Sequence, residues 1–447
     1  MFSTQQAAEL LGVSPRRVVA LIESGDLVAE RFGRSWMLDE RSVKARLQSP
    51  KLAGRPKMGQ KNLMSLKRYT LMNRNHAVLE FVYDNERKAA SVERVCSGRA
   101  WAPLGTYVSG RQPNGIDLSV WLGRRYLPTL RPEALALMHA AGVSSSDALM
   151  FGSLGLNLSD QYWFKPEGAD IDWHEVNFFE NGYERQENAP LRTPDSSTPG
   201  ALEKRWERID GVDCLIKGSS TGEEREPYNE VLATRLMGRL LQKDRYVPYV
   251  LTERDGRVCS ACPTFATPET EFVSAHEVAV HAGITEGRDF YRGYAEACEK
   301  LGIADARTRL AQMIVCDHIM ANFDRHRGNF GLVRTVETLD GWRMAPLFDN
   351  GAAFFSRAAV RELELKRFTW IANPFSEYPS QQLALVEDVA WYDPSLLEGF
   401  AGEVQDVLAQ NPSLSPAFVE RAARHVQRNI DAVDDLAAER AAVWAGF

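Results

Sequence analysis

The feature that most limits how this chain can fold is the stretch Ser49-Pro50-Lys51-Leu52-Ala53-Gly54-Arg55-Pro56-Lys57-Met58-Gly59. Two prolines, two glycines and three cations within eleven residues have the composition of a flexible basic linker. No single core can run through it, so the residues before and after it must fold as separate units. The total of 447 residues also exceeds what one ordinary core serves. Charge divides at the same place. Residues 1–61 hold 11 Lys and Arg against 6 acidic residues, and the net charge of −7 for the whole chain leaves −12 for the remainder. A basic head on an acidic body is the asymmetry expected when only the head meets nucleic acid, although a basic surface without a partner gives the same sum.

Several classes are set aside early. No apolar run approaches the roughly 18 residues of a membrane helix, and Met1-Phe2-Ser3-Thr4-Gln5-Gln6 has no basic segment leading into an apolar one. Six cysteines are too few for a disulfide framework at this length. The expectation is a cytoplasmic protein with no membrane partner.

In the head, Ser3 and Gln6 form a capping-box start for a short helix carrying Ala7, Ala8, Leu10 and Leu11, which Gly12 ends. Ser14-Pro15 opens a second helix with a good N-cap and a proline where no N–H is missed. Val18, Val19, Leu21 and Ile22 can face the first helix. Val28–Phe32, a Gly33-Arg34 turn and Ser35–Leu38 read as a hairpin, and Asp39 can cap a third helix through Leu47. Two short helices and a basic hairpin make a winged helix-turn-helix. Residues 3–47 resemble the excisionase and MerR-type DNA-binding domains. By that resemblance Ser14, Arg16 and Arg17 face bases or phosphates, and Arg34 and Ser35 contact the backbone. The plain alternative is a protein-docking module.

In the body, Val78–Tyr83, Cys214–Lys217 and Tyr246–Thr252 read as strands, while Arg307–Met320 and Phe418–Val433 carry helical spacing, so the class is α+β. Asn181–Gly200 reads as a long loop. The strongest chemical signal is Asn322-Phe323-Asp324-Arg325-His326-Arg327-Gly328-Asn329-Phe330, with Phe348-Asp349-Asn350-Gly351 downstream. Phosphoryl transfer needs a carboxylate to orient the acceptor hydroxyl and hard oxygens to hold Mg²⁺ on the phosphates. Asp-x4-Asn followed by a later Asp supplies these groups; either motif alone could merely cap turns. Lys217 ends an apolar strand, and Glu230, 13 residues on, can pair with it.

With these pieces in place, residues from about Leu63 onward resemble the HipA-like serine/threonine kinases, through Gly200-Ala201-Leu202-Glu203-Lys204, Leu215-Ile216-Lys217, Asn229-Glu230, Asn322–His326, Asn329 and Phe348-Asp349. The resemblance implies that Asp324 is the catalytic base, that Asn329 and Asp349 hold Mg²⁺, and that Lys217, paired with Glu230, reaches the ATP phosphates. It places Ser197, Gly200 and Ala201 in a phosphate-side loop whose Ser197 can be autophosphorylated. It also puts Pro263 and Phe265 at the adenine, and it brings a protein substrate and a separate antitoxin as partners. The chain departs from the family in its fused head and in a poorly matching region through Glu187. It has no Gly-x-Gly-x-x-Gly loop, and Gly54-x4-Gly59 is followed by Gln60 rather than the lysine of a Walker motif.

The layout expected is a helix-turn-helix at 1–48, a basic linker at 49–62, a kinase N-terminal lobe at 63–258, a hinge at 259–266 and a mostly helical C-terminal lobe at 267–447. Cys259, Cys262, His276 and His281 have zinc-like spacing, but a zinc finger there would interrupt the body between its lobes. Asp317 and His318 are expected to brace the catalytic loop. Tyr162-Trp163-Phe164 and Phe178-Phe179 are expected in the core. The function expected is an ATP- and Mg²⁺-dependent Ser/Thr protein kinase tethered to a DNA-binding head. The alternatives are a small-molecule phosphotransferase and a transcriptional regulator that only senses nucleotide.

Overall fold

The computed structural model describes residues 2–11, 13–23, 27–32, 35–39, 42–43, 66–107, 115–129, 131, 133–183, 192–198, 200, 202–220, 222–284, 289–365 and 368–445. The chain divides into two compact units, Met1–Leu63 and Met64–Phe447. The expected linker at 49–62, and the third helix beyond Val43, lie outside the described residues.

The first unit follows its local signals. Ser3 N–H donates to Gln6 Oε1 at 2.9 Å and Gln6 N–H to Ser3 Oγ at 3.2 Å, so the capping box opens the helix Thr4–Leu11. The second helix begins at Pro15 and runs to Glu23. Strands Ala29–Phe32 and Ser35–Leu38 pair as a hairpin, and Phe2–Ser3 adds a third strand beside the latter. Ala7, Ala8, Val18, Leu21, Leu27, Leu38 and Val43 make the core. Leu10 lies on the same helix as Ala7 and Ala8 but is exposed.

Among its described residues the second unit holds three sheets. Leu66–Asn73, His76–Asp84, Ala89–Val95 and Tyr162–Pro166 form an antiparallel sheet. Its apolar face buries Tyr69, Phe81, Tyr83, Phe151, Tyr162 and Phe164, while Trp163 and Phe178 sit in a second cluster on Leu154–Leu158. The aromatic runs are core, as their lack of interleaved cations implies. Lys204–Ile209, Val212–Lys217, Val250–Arg254 and Arg257–Pro263 form the second sheet, backed by the helix Arg225–Leu240.

The third sheet, Thr270–Ser274, Gly331–Thr335 and Asp340–Met344, packs into the largest core of the chain. Helices Phe290–Lys300, Ala306–Ile319, Phe400–Leu408 and Pro416–Ala445 all contribute to that core. The final helix therefore begins two residues before the expected Phe418 and runs far beyond Val433. The expected hinge also starts too early. Cys259–Pro263 completes a strand paired with both Val250–Arg254 and Val212–Lys217, and the connection to the third sheet is Thr264–Glu269. The hinge bounds rest on the family resemblance alone, and two flanking strands were available to pair with this stretch.

Candidate active site

A two-residue turn sets the site's first feature. Asp210 and Gly211, both at positive φ (51° and 82°), join strands Lys204–Ile209 and Val212–Lys217. That register places Lys204 directly opposite Lys217, so both amines project from the same face of the sheet. Both are buried. Lys217 Nζ donates to Glu230 and to Asp349. Burial alone would lower the Lys217 amine, but Asp349 and Glu230 outweigh it and raise it above its ordinary value. Lys204 has the opposite outcome. Burial, with Lys217 beside it, outweighs the pull of Asp349 and lowers its amine to about 8. Gly200 (φ +100°) lies against this amine, and a Cβ there would collide with Lys204 Nζ.

The helix Arg225–Leu240, which backs this sheet, anchors the segment around Asp349. Glu230 Oε2 accepts the Asn350 N–H at 2.9 Å, and Asn229 Nδ2 donates to the carbonyls of Gly351 (2.9 Å) and Ala353 (2.8 Å). Arg225 Nη1 donates to the carbonyls of Phe355, Ser356 and Ala358 at 3.0–3.2 Å. One helix face thus holds the whole segment that follows Asp349. The Asp349 N–H donates to Tyr249 Oη at 3.2 Å. Burial acts to raise the Asp349 carboxyl, but Lys217, Lys204 and Arg325 outweigh it and hold it well below the usual carboxylate range.

The loop after helix Ala306–Ile319 carries the other groups. Asp324 N–H donates to Asn322 Oδ1 at 3.0 Å, and Asp324's carbonyl accepts Asn329 Nδ2 at 3.0 Å. That second bond spends the amide's NH₂ and leaves Asn329 Oδ1 as the atom able to ligate a cation. A permanently ionised carboxylate and an amide oxygen are hard donors that fit Mg²⁺, whose remaining ligands come from phosphate and water. Burial raises the Asp324 carboxyl; the Asp349 charge adds to this, and His326, Arg357 and Arg325 oppose it. Among the described residues no hydrogen bond occupies that carboxylate. It is therefore free to accept a proton from an incoming group.

Other expectations meet the structure variously. Phe265 packs its ring on Phe348 and Phe272 at 5.2 and 5.5 Å, forming an aromatic floor beside Val247, Tyr249 and Cys262. Pro263 ends the strand before it. Ser197 does not present its hydroxyl to the cleft. It lies on the short 3₁₀ turn Pro194–Ser197, is buried, and donates to the Leu156 carbonyl at 2.5 Å. Ala201 is outside the described residues. Cys259 and Cys262 are three apart on one strand and point to opposite faces, into different clusters, so they cannot share a zinc ion. In the head, Ser14 and Arg16 are exposed, whereas Arg34 and the side chains of Arg17 and Ser35 lie outside the described residues.

Asp317 braces the loop as expected, accepting from Arg325 Nε (2.9 Å) and Nη2 (2.9 Å) and from Asn322 Nδ2 (3.0 Å). His318 is held near 4 by burial, so it is neutral and structural. Lys204, Tyr249 and Asn350 were given no role from sequence. For Lys204 a signal existed: an Asp-Gly two-residue turn between two strand runs fixes the register that sets it beside Lys217. Tyr249 and Asn350 had no such signal.

The fold is a mixed α/β body that carries this site, with a helix-turn-helix unit ahead of it in the chain. Residues 1–50 match the family model described as a helix-turn-helix domain. The structure is similar to the Helicobacter pylori proinflammatory kinase CtkA, at 15% identity and a TM-score of 0.40, covering 53% of this chain and 96% of that one. It is also similar to Shewanella oneidensis MR-1 HipA, solved with HipB and its operator DNA, at 14% identity and a TM-score of 0.46, covering 83% of this chain and 99% of that one. No curated protein sequence matches the chain. At such identities the chemistry of the body has to be read from its own residues. Among the described residues no helix is long and apolar enough to cross a membrane.

Proposed function

We propose that the body transfers the γ-phosphoryl group of ATP to a serine or threonine hydroxyl of a protein, with Mg²⁺ as cofactor, and that the head binds DNA. The observation that carries this reading is the convergence of Lys217 on both Glu230 and Asp349. That contact closes the cleft around a cation, a metal-ligand carboxylate and the helix that holds it. Phosphoryl transfer is catalysed mainly by such positioning and charge. Asn329 Oδ1 and Asp349 would hold Mg²⁺, which when bound neutralises charge on the phosphates. Lys217 and Lys204 orient those phosphates, with Gly200 permitting close approach of the Lys204 amine. The aromatic floor around Phe265 receives the adenine, beside the Pro263 carbonyl. Asp324 aligns the acceptor hydroxyl and takes its proton as the new oxygen–phosphorus bond forms and the β,γ-bridging bond breaks.

The Ser197 switch belongs to the same reading. Phosphorylation requires the 3₁₀ turn to leave its seat on Leu156, and two added negative charges then oppose its return. The helix-turn-helix match and the exposed Arg16 support DNA as the partner of the head. Incubating the protein with labelled ATP and Mg²⁺ tests the reading. Label on the protein itself or on proteins of an extract supports it. Label only on small molecules moves the assignment to a small-molecule phosphotransferase, and nucleotide binding without transfer leaves a nucleotide-sensing regulator. Salt-dependent binding of promoter DNA, lost on reversing the charge at Arg16 and Arg17, tests the head.

A further inference from the structure

Arg325 follows the candidate base in sequence, yet its guanidinium turns away from the cleft and is completely buried. All five of its N–H groups are used. Nε and one Nη2 hydrogen form the fork on Asp317 at 2.9 Å each. Nη1 donates to the Asn329 carbonyl at 2.9 Å and to the Phe348 carbonyl at 2.6 Å. The second Nη2 hydrogen goes to Asn350 Oδ1. The partners therefore come from three separate segments: a helix, the loop bearing Asn329, and the two neighbours of Asp349.

A second observation is independent of these bonds. Asp349 sits at φ +59°, in the left-handed region that a non-glycine residue rarely adopts. Such a conformation persists only where the surroundings over-determine it. Here the residue before it is held at its carbonyl and the residue after it at its side chain, both by the same guanidinium, while Glu230 takes the Asn350 N–H. Burying a guanidinium costs several kcal/mol, and a well-packed apolar residue could brace two loops more cheaply. What an apolar residue lacks is a rigid planar fork that sets the spacing of two backbones.

We infer that Arg325 is the positioning residue for the metal ligands: by tying the Asn329 carbonyl to both flanks of Asp349, it fixes Asn329 Oδ1 and the Asp349 carboxylate as one ligand pair. Asp317 in turn orients the fork. This rests on the function proposed above. Lysine keeps the charge but offers three donors on a flexible stem, so Arg325→Lys separates the clamp from simple charge balance.

The test measures ATP binding to the full chain by titration calorimetry, with Mg²⁺ varied and in excess chelator. In the wild type Mg²⁺ tightens ATP binding. In Arg325→Lys the Mg²⁺ concentration that half-restores tight binding rises at least tenfold, while metal-free affinity stays within about twofold, because Lys217 and Lys204 are on the other lobe. An Arg325→Lys protein with wild-type Mg²⁺ dependence overturns the inference. So does one that loses metal-free and metal-dependent affinity in equal measure, since that marks a general packing role. If Arg325→Lys does not fold, Asp317→Asn takes its place: a selective rise of at least threefold in the Mg²⁺ requirement supports the clamp, and an unchanged requirement overturns it. A wild-type protein whose ATP binding ignores Mg²⁺ is a separate outcome. It overturns the proposed function, and the clamp loses its ligands with it.

Discussion

Two loops of the body were conspicuous in the sequence, and the structure holds them by different physics. The loop Asn322–Phe330 is tied down by buried charge: Arg325 on Asp317, with further charge-assisted bonds to two carbonyls and an amide. The turn at Pro194–Thr198 is held by three hydroxyls and one carboxylate, Asp195, which accepts the Trp206 N–H at 2.8 Å and the Thr193 hydroxyl at 3.1 Å. Ser196 donates to the Thr193 carbonyl at 2.7 Å, Ser197 to Leu156 at 2.5 Å and Thr198 to Pro194 at 2.7 Å; one cation, Arg131, reaches the Thr198 carbonyl at 3.1 Å. Charge-assisted bonds are about twice as strong as neutral ones, and an exposed hydroxyl is readily satisfied by water. The first loop cannot leave without stranding a buried ion. The second gives up bonds that water can replace, so it can leave at modest cost.

The comparison can be broken most sharply at the first loop's working group. Asp324→Asn should lower phosphoryl transfer by about 10²–10⁴-fold, with ATP affinity nearly unchanged, in single-turnover assays with labelled ATP. Transfer at the wild-type rate would remove Asp324 as the base.

Next in size is the brace. Asp317→Ala leaves Arg325 buried and unpaired, and should cost about 3–5 kcal/mol of unfolding free energy in urea titrations. A loss below about 1 kcal/mol would mean that the loop is not held by charge.

Lys204 sharpens the boundary between the two loops, since its amine lies against Gly200 and near Asp349. Its folded value near 8 is below the ordinary 10.5 of the free side chain. The unfolded chain therefore binds more protons between these values, so stability should rise with pH from about 8 to 10.5, and the burial penalty is fully present below 8. Bound triphosphate favours the charged amine, so ATP affinity should fall as pH rises past 8, with proton uptake on binding. Calorimetry in buffers of different ionisation enthalpy reads that uptake, and Lys204→Met should abolish it.

The smallest effect is expected at the second loop. Ser197→Ala should cost about 1 kcal/mol, with faster proteolysis confined to the Pro194–Thr198 region. Destabilisation as large as that of Asp317→Ala would show that this turn is as fixed as the Asn322–Phe330 loop and cannot serve as a switch.

Much of the site was legible because its groups are local in sequence. Asp324 and Asn329 are five residues apart on one loop, and Lys217 ends a strand whose apolar run is plain. The head was legible for the same reason: Ser3, Gln6 and Pro15 act on their own helices. Where the reading missed, a distant partner decided. Cys259–Pro263 became strand because two neighbouring strands paired with it, and Ser197 turned inward because the Leu156 carbonyl, 41 residues earlier, was there to accept.

The sequence by itself determined which groups this body could use: the carboxylates, the amide, the lysines and the turn chemistry that aligns two of them. Those follow from side-chain identity, period and turn type, which act over a few residues. Only the tertiary structure decided their states. Lys217 and Lys204 are both buried lysines on one sheet face, yet one is raised and the other lowered, because Glu230 and Asp349 reach the first directly. Burial and the nearest opposite charge set a group's protonation, and the contact of Lys217 with Asp349 joins residues 132 apart in the chain, which no local pattern encodes.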